Sequence, residues 1–217
     1  MNGITVTMAL VDFIPVLLFF AAAVLLQRDL YNKMVKGVYA LLATGSTMVL
    51  ISGIFKALWK ILYALGICDY QALDAAFFPM QGPGFLLVFL SLAGMFTKYN
   101  RTKPPMMSVA AVPVYTSTMP FVILQIIGCA GSQWMLFVIA VLMKKKNAAV
   151  LYVVSFVFML GMGYLSATFD DSSSMHWMAQ CVNIVSQGAF LWGTVVLHRA
   201  GLARTELFER KTAKSSV

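Results

Sequence analysis

The chain has 217 residues, of which 60% are hydrophobic and 11% are charged, and its formal net charge is +8. Soluble domains average roughly 45–50% hydrophobic and about 25% charged residues. A soluble protein of this length cannot hide so much apolar surface, so the composition excludes an ordinary soluble enzyme, a disordered regulator and a secreted disulfide scaffold. We therefore expect an all-α, polytopic protein whose surroundings are the lipid bilayer.

Apolar runs along the chain predict a bundle of seven transmembrane helices. About 20 residues, at a rise of 1.5 Å each, are needed to cross the hydrocarbon. The predicted spans are residues 7–27, 37–65, 78–96, 106–128, 133–143, 148–168 and 174–198. The fifth span is too short by itself, so it either begins earlier or lies where the bilayer thins. We expect a seven-helix transmembrane domain over residues 1–203 and a short cytoplasmic tail over residues 204–217.

Basic residues follow every odd-numbered span, in groups at residues 28–36, 98–103 and 144–146 and again after residue 198. The first twelve residues hold no lysine or arginine, and neither do the connections that contain Asp69, Asp74, Asp170 and Asp171. Cytoplasmic loops of membrane proteins carry such an excess of positive charge. The pattern predicts an outer amino terminus and a cytoplasmic carboxyl terminus in the plasma membrane. It also accounts for the basic charge without a nucleic-acid partner.

A short sequence similarity, which we call the echo, relates the third span to the seventh. Gln81-Gly82 is followed by Phe85-Leu86, and Gln187-Gly188 is followed by Phe190-Leu191. In a seven-helix chain, helices one to three and five to seven point the same way, so the echo is compatible with a 3+1+3 repeat like that of several small transporters. Chance matches of this size are common in helices rich in glycine and phenylalanine.

Several cofactor sites are excluded by what the sequence lacks. The two histidines, His176 and His198, both lie on the seventh span, so two facing helices of one chain cannot each supply an axial haem ligand. No histidine pair has zinc-site spacing, and no Gly-Lys-Ser or Gly-Lys-Thr loop is present. Residues 180–197 hold no lysine, which rejects a retinal protein. We predict no cofactor and no metal.

A polar stripe on the seventh span is the strongest functional signal. His176, Gln180, Asn183 and Gln187 are spaced four, three and four residues apart, and Thr194 continues the line. Helical geometry places them on one face, and the stretch from Ser174 to Gln187 rises about 20 Å. Amides in hydrocarbon are costly unless paired, so this face must point into the bundle. It either lines a solute cavity or joins neighbouring helices by hydrogen bonds, and three amides in register favour the cavity.

The fourth span offers a face that could oppose this stripe. It carries Tyr115, Thr118 and Gln125 at helical spacing, and it also contains Pro113 and Pro120. Because proline has no amide hydrogen, it leaves a carbonyl one turn back without its donor. A kinked helix with free carbonyls suits a solute site, and a simple packing kink is the alternative.

Three charged side chains are predicted at membrane depth. Asp12 lies one turn inside the first span, and Lys56 and Lys60 lie four residues apart near the outer end of the second. The two lysines either extend to the interface beside aromatic residues or pair with Asp12. They also offer a site for an anionic solute head.

The cysteines are expected to be unbridged. Cys68 and Cys129 both fall on the outer side in the predicted topology, so a bridge between them is the alternative. Cys181 lies two turns into the seventh span and has no partner in either case.

These patterns favour a protein that binds or translocates a small solute or amphiphile through a cavity lined by helices seven and four. The alternative is a receptor, a sensor or a subunit of a membrane complex, with a membrane protein or a second copy as partner. A lipid-modifying enzyme is the least favoured class, because the sequence shows no catalytic set beyond an outer pairing of Ser132 with His176.

Overall fold

The computed structural model describes residues 5–96, 118–167 and 173–205, and all regular structure in these ranges is helical. The elements are α1 Val6–Val11, α2 Phe13–Leu30, a 3₁₀ turn Tyr31–Lys33, α3 Lys36–Ala64, α4 Gln71–Ala75, α5 Phe77–Phe96, α6 Met119–Leu142, α7 Lys146–Ala167 and α8 Ser173–Arg199. Most of the predicted tail lies outside the described residues, and the described chain continues past residue 203 to Thr205.

Five stretches of the described chain are long and apolar enough to cross a membrane. They are Val6–Lys33, Lys36–Ala64, Gln71–Phe96, Met119–Leu142 and Ser174–Arg199, with mean hydropathies from 1.3 to 2.6. Helix α7 adds a further apolar segment. Predicted spans one, two, three, six and seven each end within three residues of the observed helix ends. The all-helical fold class is therefore confirmed, and residues 106–117 of the predicted fourth span lie outside the described residues.

The predicted boundary between spans four and five is wrong, because residues 119–142 form the single helix α6. The small residues taken for a break are a packing face instead. A Cβ atom added to Gly128 would lie 2.5 Å from the carbonyl carbon of Phe85, and one added to Gly131 would lie 2.5 Å from the Phe89 ring. The glycines therefore let α5 approach closely, as small residues do between membrane helices.

Pro120 was expected to kink the fourth span, and it starts α6 instead. Thr118 is the N-cap residue, and proline occupies the first turn. The amide hydrogens of that turn have no acceptor within the helix, so proline loses nothing there.

Within the described residues, six long helices form a closed ring in the order α2, α3, α5, α6, α7, α8 and back to α2. Four neighbouring pairs in the ring run antiparallel, namely α2–α3, α3–α5, α6–α7 and α7–α8. The two remaining neighbouring pairs run parallel. Helix α5 is parallel to α6, since Gly82 lies against Phe121 and Phe89 lies against Gly131. Helix α2 is likewise parallel to α8. We call the end of the ring next to Arg28, Lys36, Lys145 and Arg199 the basic end.

The hydrophobic core lies near the basic end of this ring. Its members come from the last turns of α2, α5, α6 and α8 and the first turns of α3 and α7. They include Leu26, Leu30, Val38, Leu42, Val88, Leu92, Leu136, Ile139, Ala148, Tyr152 and Leu197.

Helices α1 and α2 form one span with an interruption at Asp12. Pro15 follows four residues after Val11 and has no N–H to donate to the Val11 carbonyl, so the helix breaks at this point. The Asp12 backbone N–H still bonds the Met8 carbonyl at 3.2 Å. The break sets the position of the Asp12 side chain toward α3.

The three cysteines are free, as expected. Cys68 is exposed after α3, Cys129 is buried on α6 beside Gly128, and Cys181 is exposed on α8.

Candidate functional site

Helix α8 presents three different faces. Ser186 donates to the carbonyl oxygen of Ser155 on α7 at 2.9 Å. Gln180 donates through Nε2 to the Met8 carbonyl on α1 at 2.8 Å. Asn183 and Gln187 lie between these two contact faces, toward the inside of the ring, and both are half-buried.

The outer face of α8 is apolar and exposed. Trp192, Val185 and Met178 lie there, and Trp192 is 59% exposed. At 100° per residue, Asn183 is diametrically opposite Trp192 around the helix. The stripe thus faces the ring interior, and only part of it is used to join helices.

Five buried polar oxygen atoms in the described residues have no hydrogen-bond partner. They are Oε1 of Gln81, Gln125, Gln133 and Gln180 and Oγ of Ser132. They come from α5, α6 and α8, and they lie from mid-helix toward the end opposite the basic end. Native proteins satisfy the great majority of such groups, because a buried polar atom without a partner costs about 1–3 kcal/mol.

Aromatic rings from four helices meet inside the ring. The Phe19 ring of α2 lies 6.1 Å from that of Phe85 on α5 and 6.2 Å from that of Phe190 on α8. Phe190 in turn lies 6.0 Å from Tyr152 on α7. Because α3 separates α2 from α5 around the ring, the Phe19–Phe85 contact crosses the interior. We call these four residues the aromatic floor.

The aromatic floor lies at the edge of the hydrophobic core, since Tyr152 belongs to the core and Phe190 packs against it. Gln81 precedes Phe85 by one turn, and Gln187 precedes Phe190 by less than one turn. On the basic side of the floor, the Thr194 hydroxyl is fully buried and lies 3.2 Å from the Tyr152 hydroxyl. Thr194, which continues the stripe in sequence, is therefore an internal helix contact.

Two ion pairs lie at the end opposite the basic end in the described residues. Lys60 forms an ion pair with Asp12, joining α3 to the break between α1 and α2. The Lys56 Nζ atom lies 3.7 Å from Asp74 and 4.3 Å from the centre of the Phe77 ring. These contacts hold the first three long helices together at that end.

A second set of polar contacts at this end fixes the loop after α3. The Trp59 indole N–H donates to Asp69 at 2.9 Å, and the Gln71 amide donates to the other carboxylate oxygen at 3.2 Å. Asp69 is therefore a structural acceptor for the loop.

The predicted opposing face is only partly brought to this site. Gln125 lies two turns into α6, and its buried Oε1 atom has no hydrogen-bond partner. Thr118 is exposed at the start of α6, and Tyr115 lies outside the described residues. His176 is half-buried near the start of α8. The described opposing residues therefore come from α5 and α6.

Sequence reasoning missed Gln81, Gln133 and the aromatic floor. Gln133 donates to Ser155 Oγ at 2.8 Å, across the α6–α7 contact. The echo between Gln81-Gly82-Phe85 and Gln187-Gly188-Phe190 held a signal, since both phenylalanines contact Phe19. The ring contacts themselves are tertiary and leave no local pattern.

The enzyme alternative required Ser132 to meet His176 near the outer surface. Ser132 lies in the middle of α6, and its buried Oγ atom has no hydrogen-bond partner, histidine included. Within the described ranges, no group of three or more histidine, cysteine or acidic residues is placed to hold a metal ion.

A closed ring of apolar helices with a polar interior half defines a multi-pass integral membrane protein. No protein-family model, curated protein or solved structure matches the chain.

Proposed function

We propose that this protein binds a small solute in the half of the ring interior opposite the basic end, between α5, α6 and α8. The observation that carries the proposal is a set of buried amide oxygens without hydrogen-bond partners, which lie from the aromatic floor toward the end opposite the basic end. Gln81, Gln125 and Gln180 offer acceptors at that depth, and Asn183 and Gln187 are half-buried beside them. Donors on a solute, or waters around it, would satisfy these atoms.

The chemistry of the site favours an amphiphilic solute. Amide oxygens accept hydrogen bonds from hydroxyl, amine or amide groups, whereas the rings of Phe19, Phe85 and Phe190 favour an apolar or flat portion. Translocation would require the floor to open, because Leu92, Leu136 and Thr194 on its basic side are fully buried. Binding is therefore the first activity to test, and transport is the second.

The proposed orientation places the basic end in the cytoplasm, so that the solute enters from outside the plasma membrane. Because α5 and α6 run parallel, Phe96 and Thr118 lie at opposite ends of the bundle. The sequence between these two residues is long enough for one further crossing, at about 1.5 Å per residue. This supports seven crossings.

The ring order also supports the proposed 3+1+3 repeat. Helices α2, α3 and α5 would correspond to α6, α7 and α8. The parallel α5–α6 contact then corresponds to the parallel α8–α2 contact, and each antiparallel pair has its counterpart. In such repeats the substrate lies at the interface between the halves, which is where Phe190 of the second half meets Phe19 of the first.

Accessibility to a charged, membrane-impermeant thiol reagent tests the site without knowledge of the solute. In a background without native cysteines, we expect Gln187→Cys to be labelled from outside intact cells. We expect Val185→Cys, on the lipid-facing side of α8, and Thr194→Cys, beyond the floor, to react at least tenfold more slowly. Lys145→Cys should react only after the membrane is permeabilised.

A variant that shortens one side chain of the aromatic floor is the matching control for the low reactivity expected at position 194. In the double variant Phe19→Ala/Thr194→Cys, the smaller side chain should make position 194 reactive from outside. Equal labelling at positions 185 and 187, or no labelling at 187, would contradict the cavity. Labelling of Lys145→Cys in intact cells would overturn the orientation.

Gln187→Leu separates solute binding from helix association. The change removes a donor and an acceptor at similar volume. If Gln187 faces a solute, the variant should lose the thermal shift that a screen of amino acids, amines, sugars and nucleosides produces with the native protein, while its melting temperature changes little. If Gln187 joins helices, the variant should lose about 0.6–2 kcal/mol of stability and bind normally.

A further inference from the structure

The cleft at the basic end, between the end of α2 and the turn after α8, is separate from the proposed solute site. Its volume is about 350 Å³, within the range of small-molecule sites. Arg28, Arg199 and Arg204 line it, together with Asp29 and His198. Three arginine residues thus line one cleft.

The turn after α8 is folded in a way that places Arg204 there. Gly201 adopts a left-handed conformation with φ of 80°, which ends the helix. The Leu202 N–H bonds the Leu197 carbonyl at 3.1 Å, and the Leu202 side chain is fully buried in the core. The Lys33 Nζ atom donates to the Thr205 carbonyl at 2.5 Å. The turn is therefore tied back to the end of α2.

The Asp29 carboxylate in the cleft is already hydrogen-bonded to His198. Asp29 is 2% exposed, and its two oxygens lie 2.9 and 3.0 Å from Nδ1 of His198. Within the described ranges, Arg28, Arg199 and Arg204 form no ion pair. The positive-inside rule accounts for basic residues at this end, but it does not require three arginines around one cleft.

We propose that this cleft binds a phosphate group. The planar fork of arginine matches phosphate oxygens with paired, charge-assisted hydrogen bonds, and a bound dianion or monoanion would offset the repulsion among the three guanidinium groups. The cleft lies at the end of the membrane-spanning helices, where lipid headgroups lie. The same phosphate chemistry is supplied by an anionic phospholipid or by a soluble phosphate compound.

Two probes distinguish these sources. Inorganic phosphate is titrated into detergent-purified protein at constant ionic strength against chloride, with the melting temperature as readout. Retention of phosphatidylglycerol against phosphatidylcholine is measured by native mass spectrometry after reconstitution in mixed vesicles. A response to inorganic phosphate assigns the cleft to soluble phosphates, and retention of phosphatidylglycerol alone assigns it to lipid. Either result supports a phosphate-binding site in the cleft.

The test variant is Arg28→Gln/Arg204→Gln, and the control is Lys145→Gln/Lys146→Gln. Both remove two positive charges from exposed positions at the basic end, but the control residues lie outside the cleft. Loss of charge-assisted hydrogen bonds should weaken binding about tenfold or more in the first variant and less than about twofold in the second. A null response to both probes, or equal weakening in the two variants, would overturn the proposal.

Discussion

Gly128→Ala is expected to destabilise the protein by about 1–3 kcal/mol or more, because it forces α5 and α6 apart. A Cβ atom at this position would lie 2.5 Å from the carbonyl carbon of Phe85 and closer still to the amide nitrogen of Leu86. Backbone atoms cannot rotate away as a side chain can. The higher helix propensity of alanine, worth up to about 1 kcal/mol, offsets only part of this loss.

Gly188→Ala is the matched control for this prediction. Gly188 is also a helical glycine, but an added Cβ atom there meets nothing within 4 Å. Its replacement should leave stability unchanged or raise it by up to about 1 kcal/mol. Thermal unfolding in one detergent measures both variants. If the two have the same melting temperature, α5 and α6 do not pack through Gly128, and the ring order would have to change.

Lys60→Met is expected to cost about 3–5 kcal/mol, because it leaves the Asp12 carboxylate without its counter-charge. The side chains of the pair are 13% and 15% exposed, and both lie in membrane-spanning helices. The double variant Asp12→Asn/Lys60→Met should recover most of the lost stability, since it removes both charges together. That recovery distinguishes an unpaired charge from a simple loss of packing.

Lys56→Met provides the comparison. Lys56 pairs with Asp74 at 3.7 Å, but these side chains are 35% and 43% exposed. This pair is longer and less buried than the Asp12–Lys60 pair, so its loss should cost less, no more than about 1 kcal/mol. Equal costs for Lys56→Met and Lys60→Met, or no recovery in the double variant, would show that the Asp12–Lys60 pair is not a buried ion pair in the membrane.

The candidate site was partly predictable from the sequence. Three amides on one face of a helix must avoid lipid, so the sequence alone predicted that α8 turns Gln180, Asn183 and Gln187 inward. It could not predict which of them are used by neighbouring helices. Gln180 reaches Met8 only because α8 lies parallel to α1 and α2, and that contact joins residues 172 positions apart.

The sequence by itself determined the membrane class and the ends of five spans, because hydrophobic length and charge are local properties read along the chain. Only the tertiary structure decided that Gly128 and Gly131 are a packing face within α6. A glycine-rich segment has the same composition in a turn and in a tight helix contact, and the neighbouring helix selects between them. The aromatic floor and the arginine cleft likewise depend on the ring closing, which brings Phe19 to Phe85 and Arg28 to Arg204.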